Sequence, residues 1–343
     1  MLKLSRDLGI DLGTANVLVY AEGKGIVLRE PAVVAIDKNT GKVLQVGAAA
    51  RNMLGRTPGN VVAVRPMKNG VISDYEMTEK MLAHFLKKII RNSLVKPRVV
   101  ICVPSGVSEV EERAVIGAAM EAGARRVYLI EEPFAAALGA QLDLSAPNGR
   151  MVVDIGGGTT DIAVLSVNDI AVSTSVKIAG DTFDEMILAY LRRHYGLLIG
   201  ANTAEEVKMT IGCVVERPEE NSMTVRGRDL KTGLPKDVVV TSSELLEILK
   251  RPAGKIVDEI FSVLELTSPE LVADIAKNGI VLTGGGSQIY GMDRLIADMT
   301  EIPCITADNA DSCVALGCGR SLQWIGSMQE GTINLARKKL MKE

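Results

Sequence analysis

Two short loops in this sequence combine aspartate, glycine and threonine in a way that suits phosphate and metal binding. The first loop is Asp11-Leu12-Gly13-Thr14, at the end of an apolar run. Glycine in a tight turn lets backbone N–H groups approach phosphate oxygens, and the Thr14 hydroxyl adds a donor. Asp11 is placed to hold a hydrated Mg²⁺ ion, which prefers a carboxylate together with water and phosphate oxygens. An ordinary β-hairpin turn is the alternative explanation of this motif alone.

The second loop is richer in glycine and harder to explain as a plain turn. It has the sequence DIGGGTTD from Asp154 to Asp161. Three successive glycines between two apolar strands cost backbone entropy, and a turn needs only one or two. Asp154 ends an apolar run as Asp11 does, and the two aspartates lie one domain length apart. This spacing indicates a pseudo-repeat of two domains.

A third loop, of sequence TGGGS from Thr283 to Ser287, follows a strand late in the chain. It precedes an amphipathic segment, Ile289–Met299, so we expect backbone N–H groups at a helix N-terminus, which is a natural anion or nucleotide site. None of the three loops fits the Walker A pattern, and the first strand is not followed by a GxGxxG dinucleotide fingerprint. The sequence therefore indicates a phosphate-binding cleft of another kind.

Composition allows a large aliphatic core and argues against some functions. The chain has 343 residues, of which 47% are hydrophobic and only 3% aromatic, and this length suits two domains. The formal net charge of −3 gives no support for a nucleic-acid surface. Five cysteines without CxxC spacing, and two histidines, favour small core residues in a reducing compartment over a disulfide framework or a zinc site.

The hydropathy pattern predicts a protein that does not cross a membrane. No run of about 20 apolar residues is present, and residues 1–7 lack the long apolar region of a signal peptide. We therefore expect a cytoplasmic protein whose contact with a membrane is peripheral.

The elements that carry the loops predict an α/β protein with an internal repeat. Leu8–Leu12 and Asn16–Tyr20 form a predicted hairpin around the first loop. Met151–Ile155 and Asp161–Val167 repeat this arrangement around the second loop. The boundary between the two domains falls near Ser145–Arg150, where Ser, Pro, Asn and Gly cluster.

Three further segments bear on how the loops are positioned. Ile26–Ile36 is predicted to continue as strand after the first hairpin. Thr203 and Glu206 form a predicted capping box at the start of the helix Ala204–Ile211. Ser243–Leu266 is predicted to be largely helical, broken or restarted at its proline.

The sequence resembles the MreB family of bacterial actin homologues, within the actin, Hsp70 and sugar-kinase ATPase superfamily. The segments that carry the resemblance run from Gly9 to Gly319 and are GIDLGTANVLVY, RPMKNGVI, ICVPSGVSEVEERAV, IEEPFAAALGA, VVDIGGGTTDIAV, TAEEVKMTIG, RGRDLKTGLPK, GIVLTGGG and CVALGCG. RGRDLKTGLPK is not expected in Hsp70 or the kinases. The resemblance implies an α/β actin-like ATPase fold, with two duplicated domains of mixed β-sheets flanked by helices around a nucleotide cleft.

The same resemblance implies domain ranges. The expected ranges are 1–145, with a small subdomain at about 31–70; 146–315, with a small subdomain at about 181–245; and 316–343, a C-terminal helix returning to the first domain.

The resemblance also assigns nucleotide contacts, with ATP and Mg²⁺ as the expected cofactors. Asp11 and Asp154 would hold Mg²⁺ through water. The implied nucleotide-binding residues are Gly13, Thr14, Ala15 and Asn16; Gly156, Gly157, Gly158 and Thr159; Glu205, Glu206, Val207 and Lys208; and Gly284, Gly285, Gly286 and Ser287. Glu205 and Lys208 are three positions apart and share a helix face; without the family resemblance, a solvated ion pair would explain them.

For hydrolysis, the resemblance points to Glu132 and Thr159. Glu132 precedes Pro133 at a helix start, where the superfamily places the residue that orients water, and Thr159 would help to position that water. Glu131 is the weaker candidate, since adjacent positions point in different directions. A carboxylate favoured by the helix dipole is the alternative explanation of Glu132. The expected turnover is slow, because hydrolysis would time a polymer.

A membrane contact is expected at Leu94 and Val95, in a loop after an amphipathic helix whose end is rich in cations such as Lys87 and Lys88. In the family, a hydrophobic loop at this place inserts into the inner leaflet, and each cation near anionic lipid adds roughly 1 kcal/mol. Residues 1–4 could add a weak anchor. The alternative is a buried apolar pair that leads into the next strand.

The resemblance implies an ATP-dependent, filament-forming cytoskeletal protein that lies under the cell membrane and organises cell-wall synthesis and rod shape. Its expected partners are copies of itself, the inner-membrane surface and membrane proteins of the wall-synthesis machinery. A small-metabolite kinase of the same fold is the alternative, although we find no motif for a carboxylate base aimed at a substrate pocket. A chaperone-like ATPase would need a substrate domain that we do not expect here.

Overall fold

The computed structural model describes residues 7–90 and 95–325. Its strands are β1 (Leu8–Leu12), β2 (Asn16–Ala21), β3 (Gly25–Pro31), β4 (Val34–Asp37), β5 (Val43–Val46), β6 (Val61–Val64), β7 (Met67–Lys68), β8 (Val71–Ile72), β9 (Arg98–Val103), β10 (Arg126–Glu131), β11 (Arg150–Ile155), β12 (Thr160–Ser166), β13 (Asp169–Val176), β14 (Leu197–Leu198), β15 (Ser222–Asp229), β16 (Pro235–Thr241), β17 (Ile280–Thr283) and β18 (Cys304–Thr306). Its α-helices are α1 (Ala48–Arg51), α2 (Tyr75–Ile90), α3 (Glu109–Glu121), α4 (Glu132–Gly139), α5 (Gly180–His194), α6 (Ala201–Ile211), α7 (Ser242–Leu266), α8 (Pro269–Asn278), α9 (Met292–Thr300) and α10 (Cys313–Ser321).

The two halves of the described chain contain five-stranded sheets with the same strand order. The first is β3-β2-β1-β9-β10 and the second is β13-β12-β11-β17-β18. In each sheet the first three strands are antiparallel, and the last two join in parallel. The mixed sheets and their repeated order confirm the predicted fold class, with the first and second loops at equivalent turns, after β1 and β11.

A smaller three-stranded sheet accompanies each half. In the first half it has the order β5-β4-β6, and in the second half the order β14-β15-β16. Both lie within the ranges expected for the small subdomains. The prediction of one strand over Ile26–Ile36 is wrong, because β3 ends at Pro31 and β4 belongs to the small sheet. Pro31 has no N–H group with which to extend the ladder of β3.

The described core is mostly aliphatic and extends between the two large sheets. One apolar cluster fills each half, and another joins them through α4, α10 and the facing sides of the sheets, including Val100, Tyr128, Val152 and Leu165. Burial of this shared layer holds the two halves in a fixed relation beneath the loops.

Helices α4 and α10 touch backbone to backbone within this shared layer. A Cβ atom built on Gly139 would lie 1.8 Å from the carbonyl oxygen of Cys313, and one on Gly317 would lie 1.7 Å from that of Ala135. Only glycine permits such an approach. α10 also packs against β1, so the described part of the segment 316–343 contacts the first half; residues 326–343 lie outside the described residues.

Two helix predictions need correction. The helix α6 begins at Ala201 and is capped by Gly200, so the predicted capping box of Thr203 and Glu206 is wrong, because both residues already lie inside the helix. The helix α7 runs unbroken through Pro252. Pro252 is buried among apolar neighbours, and this packing offsets the loss of about 3 kcal/mol that a proline causes inside a helix.

Within the described ranges, no helix has both the length and the apolar character that a membrane crossing requires.

Candidate functional site

The first and second loops meet face to face between the halves. A Cβ atom built on Gly157 would lie 2.8 Å from the Cβ of Ala15, and one on Gly158 would lie 2.5 Å from the Thr14 Oγ1. The Thr14 hydroxyl also accepts a hydrogen bond of 2.9 Å from the N–H of Gly70. Glycine at 157 and 158 therefore allows an approach that side chains would block.

The third loop lies against the second. Gly284 has a φ of +81°, and a Cβ atom there would lie 2.3 Å from the carbonyl oxygen of Ile155. The Ser287 Oγ donates to the carbonyl of Gly284 at 2.7 Å, which holds the turn. The predicted link to an amphipathic helix needs correction: a short 3-10 turn, Gly285–Gln288, follows directly, and α9 begins only at Met292.

Lys208 of α6 reaches the wall of the cleft beside the second loop. Its Nζ lies 2.9 Å from a carboxylate oxygen of Asp184 and donates to the carbonyl of Gly180 at 3.0 Å. The backbone N–H groups of Gly180 and Asp181 in turn donate to the carbonyls of Gly156 and Gly157 at 3.1 and 2.7 Å. The start of α5 thus connects Lys208 to the glycines of the second loop.

The other predicted residues of α6 are not gathered with Lys208. Glu205 forms an ion pair with Arg51 of the first half. Val207 is fully buried in the core, and Glu206 is exposed. The helix α6 borders the cleft, but only the side chain of Lys208 reaches the start of α5. The other three predicted side chains, of Glu205, Glu206 and Val207, point in other directions.

Four carboxyl groups lie beneath the loops. Asp11 is the penultimate residue of β1, Asp154 is the penultimate residue of β11, and Asp161 lies opposite Asp154 in the register of β12. Glu132 opens α4. Protein atoms surround Asp11, although its side chain keeps some solvent contact through the cleft.

Burial makes ionisation of this group costly. Burial raises the pKa of Asp11 to about 7 and that of Asp154 to about 7, and it raises the pKa of Asp161 to about 6. Burial also raises the pKa of Glu132 well above its ordinary value, and the charges of Asp161, Asp154 and Asp11 raise it further. The four groups repel one another when ionised.

Specific hydrogen bonds orient these carboxyls. The Thr283 Oγ1 donates to Asp154 Oδ1 at 2.6 Å, and the N–H of Ser105 donates to Asp161 Oδ1 at 2.8 Å. The Cys102 Sγ lies 3.7 Å from Asp11 Oδ1 and 3.9 Å from Glu132 Oε1. A hydrogen bond with Cys318 and burial raise the pKa of Cys102, so its thiol stays protonated.

The oxygens of these four carboxyl groups fit a hydrated divalent cation. Asp161 Oδ2 is buried without a partner at hydrogen-bond distance, and the mutual repulsion of four carboxyls favours a positive charge beside them. In residues 7–90 and 95–325, no three His, Cys, Asp or Glu side chains converge closely enough to ligate one metal directly. Asp11 and Asp154 would therefore hold Mg²⁺ through water, where it would neutralise phosphate charge.

Of the two predicted catalytic residues, Glu132 belongs to this carboxyl group and Thr159 lies close to it. Glu132 and Thr159 are both buried, and each lies beside Asp161. Glu131 is less buried, and its Oε2 accepts a hydrogen bond of 3.0 Å from the Ser105 Oγ. The geometry therefore favours Glu132 over Glu131.

Two cross-cleft pairs join the halves at the mouth of the cleft. They are Arg51 with Glu205, and Arg65 with Asp181 at 3.0 Å. A cavity of about 530 Å³ lies beside them, lined by residues 54–56 and Arg65 of the first half and by 200–203 of the second. Sequence reasoning missed these pairs, because nothing local marks partners that are more than 100 residues apart in the chain.

Of the two predicted membrane residues, the structure describes only Val95. Leu94 lies outside the described residues, as do residues 1–4, and Val95 is half-buried. Of the cations at the end of α2, Lys87 is exposed, whereas Lys88 Nζ donates to Glu30 Oε1 at 3.0 Å.

Comparison with known proteins gives relatives along almost the whole chain. The sequence model of the MreB/Mbl protein family matches residues 5–330. The cell shape-determining protein Mbl of Bacillus cereus is 52% identical over 320 residues, which cover 93% of this chain and 96% of that protein. The cell shape-determining protein MreB of Escherichia coli is 51% identical over 327 residues, or 94% of each chain.

Solved structures give the same result. MreB5 of Spiroplasma citri bound to ADP superposes with a TM-score of 0.89 at 39% identity, covering 94% of this chain and 97% of that one. The same protein bound to AMPPNP gives a TM-score of 0.88. A MamK double helical filament, at 24% identity and a TM-score of 0.79, shares the fold. With a family match over residues 5–330 and two like halves closed around three glycine loops, the chain belongs to the MreB/Mbl protein family and has an actin-like ATPase fold.

Proposed function

We propose that this chain binds ATP in the cleft, hydrolyses it slowly with Mg²⁺, and uses the nucleotide to control a filament of its own copies. The observation that carries the proposal is the convergence of three glycine loops, from both halves, beside the carboxyls of Asp11, Glu132, Asp154 and Asp161. Such a site can cradle phosphates with backbone N–H groups while the carboxyls hold a hydrated cation.

Binding of ATP is supported by the loops and by the structural neighbours. The MreB5 structures carry ADP and AMPPNP, and this chain superposes on them along almost its full length. We assign the phosphates to Gly13–Asn16 and Gly156–Thr159, and the nucleoside to the third loop and α6. In α6 the side chain of Lys208 is the best placed, since it donates to the carbonyl of Gly180, whose N–H bonds to Gly156 of the second loop.

Hydrolysis would depend on positioning and charge. Glu132 and Thr159, buried beneath the loops, would orient the attacking water, while Asp11 and Asp154 would hold Mg²⁺ through water. A site of this kind accelerates phosphoryl transfer mainly by alignment and electrostatic stabilisation.

The filament and its cellular role are supported by the relatives. The relatives that are 52% and 51% identical in sequence are named cell shape-determining proteins. We therefore infer a cytoskeletal role in rod shape and cell-wall synthesis, with copies of this chain and wall-synthesis membrane proteins as partners. The reported relatives give no support to the kinase alternative.

Assembly of filaments from the purified protein tests the proposed function. The purified protein is incubated with ATP and Mg²⁺, with and without lipid vesicles, then pelleted and examined by electron microscopy, while phosphate release is measured. Filaments together with slow phosphate release are expected. A protein that stays monomeric under all of these conditions, while transferring phosphate to a small molecule, would contradict the proposal.

The role of Glu132 is tested with Glu132→Ala, using Glu131→Ala as the matched control. Glu132→Ala should bind a fluorescent ATP analogue normally but release phosphate more slowly, whereas Glu131→Ala should keep its turnover. If Glu131→Ala loses turnover instead, the role belongs to Glu131.

We also propose peripheral binding at the inner face of the cell membrane through Leu94 and Val95. The support is that this apolar pair follows α2 in the sequence, and that the last turn of α2 presents Lys87 to solvent. Leu94→Ser with Val95→Ser should weaken co-sedimentation with vesicles of anionic lipid. Val167→Ser, which removes an exposed apolar side chain from another loop, should leave it unchanged. Equal binding by both would place the anchor elsewhere.

A further inference from the structure

Asp161 stands out among the buried carboxyls because it is neither one of the two aspartates assigned to Mg²⁺ nor one of the two residues assigned to the attacking water. It is fully buried at the start of β12. One oxygen, Oδ1, accepts a hydrogen bond of 2.8 Å from the N–H of Ser105. The other, Oδ2, is buried and has no partner at hydrogen-bond distance. Leaving such an acceptor unsatisfied costs about 1–3 kcal/mol, so a native structure needs a reason for it.

The surroundings of Asp161 supply that reason. Thr159 and Glu132, the two residues assigned to the attacking water, both lie beside its carboxylate, as does Ser175 of β13. Thr159 comes from the second loop and Glu132 from the start of α4, so they belong to different halves of the molecule. Asp161 is therefore the side chain that links them.

The anchoring of Asp161 also crosses between the halves. Ser105 follows β9 in the first half, whereas Asp161 belongs to β12 in the second. Because a backbone N–H holds Oδ1, the carboxylate cannot rotate without losing that bond. Oδ2 is thereby fixed in direction, which is what a water-orienting acceptor requires.

We propose that Asp161 is a third member of the hydrolytic group, whose Oδ2 accepts a hydrogen bond from the nucleophilic water that Glu132 and Thr159 hold. This inference rests on the proposed ATPase function. In the reaction, the water oxygen bonds to the γ-phosphorus and the bond from that phosphorus to the oxygen of ADP breaks. ADP leaves with the electron pair, and both water protons end on the released phosphate. Asp161 orients the water and undergoes no covalent change.

The decisive variant is Asp161→Asn. The asparagine Oδ1 can still accept from Ser105, which places the NH₂ group where Oδ2 was, so the anchor is kept and the acceptor is replaced by a donor. We expect kcat for phosphate release to fall about 100-fold, with the Kd for a fluorescent ATP analogue within about twofold of the unmodified protein. Asp237→Asn, which removes an exposed aspartate of β16, should keep both values.

Other outcomes would overturn the proposal. Unchanged turnover in Asp161→Asn, or weaker nucleotide binding with unchanged kcat, would show that Asp161 does not orient the water. If the asparagine variant does not fold, Asp161→Ser serves instead, because the shorter side chain cannot span from Ser105 to the water and should lose turnover equally. Absence of phosphate release by the unmodified protein would be a failure of the proposed function itself, and so is distinguishable.

Discussion

Arg65 of the first half and Asp181 of the second form an ion pair of 3.0 Å across the mouth of the cleft. Asp181 lies in the first turn of α5, and its backbone N–H donates to the carbonyl of Gly157 at 2.7 Å. One residue thus contacts the opposite half through its side chain and the second loop through its backbone. Closure of the cleft is thereby coupled to the position of the phosphate-binding glycines.

The first prediction follows from this coupling. Arg65→Ala should speed release of a fluorescent ADP analogue about twofold, because a partly exposed ion pair contributes about 0.5 kcal/mol. Stopped-flow measurement at low salt should show the difference, and higher salt should reduce it. Arg226→Ala, which removes an arginine from an exposed pair with Asp237, is the matched control. If Arg65→Ala still accelerates release in the background of Asp181→Asn, the effect does not come from this pair.

The second prediction concerns the stability of the nucleotide-free protein. In the folded chain the pKa of Asp11 and of Asp154 is raised from 3.8 to about 7. Between these values the folded state holds more protons than the unfolded chain, so its stability rises as the pH falls. The melting temperature should increase by at least about 3 °C between about pH 8 and pH 5.5. The stabilisation that Asp229 gains from its pKa of about 2 is lost only below this window.

Differential scanning fluorimetry checks this dependence. Asp11→Asn should have a smaller slope with pH, because it removes one of the titrating groups. Added ATP and Mg²⁺ should also reduce the slope, since a cation favours the ionised carboxyls. A melting temperature that falls steadily from about pH 8 to pH 5.5 would contradict the assignment of these groups as the dominant ones.

Local pattern predicts much of the fold, because the relevant signals are carried by neighbouring residues. The hairpins around Asp11 and Asp154 follow from apolar runs on either side of glycine turns, and the structure confirms both. The strand break after Pro31 and the early start of α6 at Ala201 depend on context that periodicity does not report. Periodicity can tell strand from helix, but it cannot tell which of two sheets a strand will join.

The sequence predicts site residues only where they stand together in one contiguous loop. The glycines and Asp154 stand in a contiguous motif, whereas Ser105 and Thr283 act through tertiary contacts with Asp161 and Asp154. The only local signal for Asp161 was a second acidic residue at the end of the second loop. Its significance comes from burial and from the contacts of its two oxygens, which are properties of the folded chain.

The third prediction concerns Lys208. Its ion pair with Asp184 has side-chain exposures of only 15% and 11%, so Lys208→Ala leaves a poorly solvated carboxyl without its partner. Unfolding free energy should fall by about 2 kcal/mol, below the 3–5 kcal/mol typical of fully buried pairs. Asp184→Asn combined with Lys208→Ala should recover part of this loss. Equal loss in the single and double variants would show that the unpaired carboxyl is not the cause.

The same variants separate structure from ligand binding. If Lys208 contacts the nucleotide, the double variant should recover stability but not affinity for a fluorescent ATP analogue. Recovery of both would limit Lys208 to its structural pair with Asp184.

The last prediction tests the layer that joins the halves. A Cβ atom at Gly317 would lie 1.7 Å from the carbonyl oxygen of Ala135, and backbone cannot yield there without separating α10 from α4. Gly317→Ala should therefore lower the free energy of unfolding by more than about 3 kcal/mol, or prevent folding.

Gly254→Ala is the matched control, since a Cβ atom at this position in α7 meets nothing within 4 Å. It should stabilise the protein by about 0.5–1 kcal/mol, because alanine is the better helix former. Urea unfolding midpoints measure both variants, and similar midpoints for the two would show that the backbone contact between α4 and α10 does not hold the halves together.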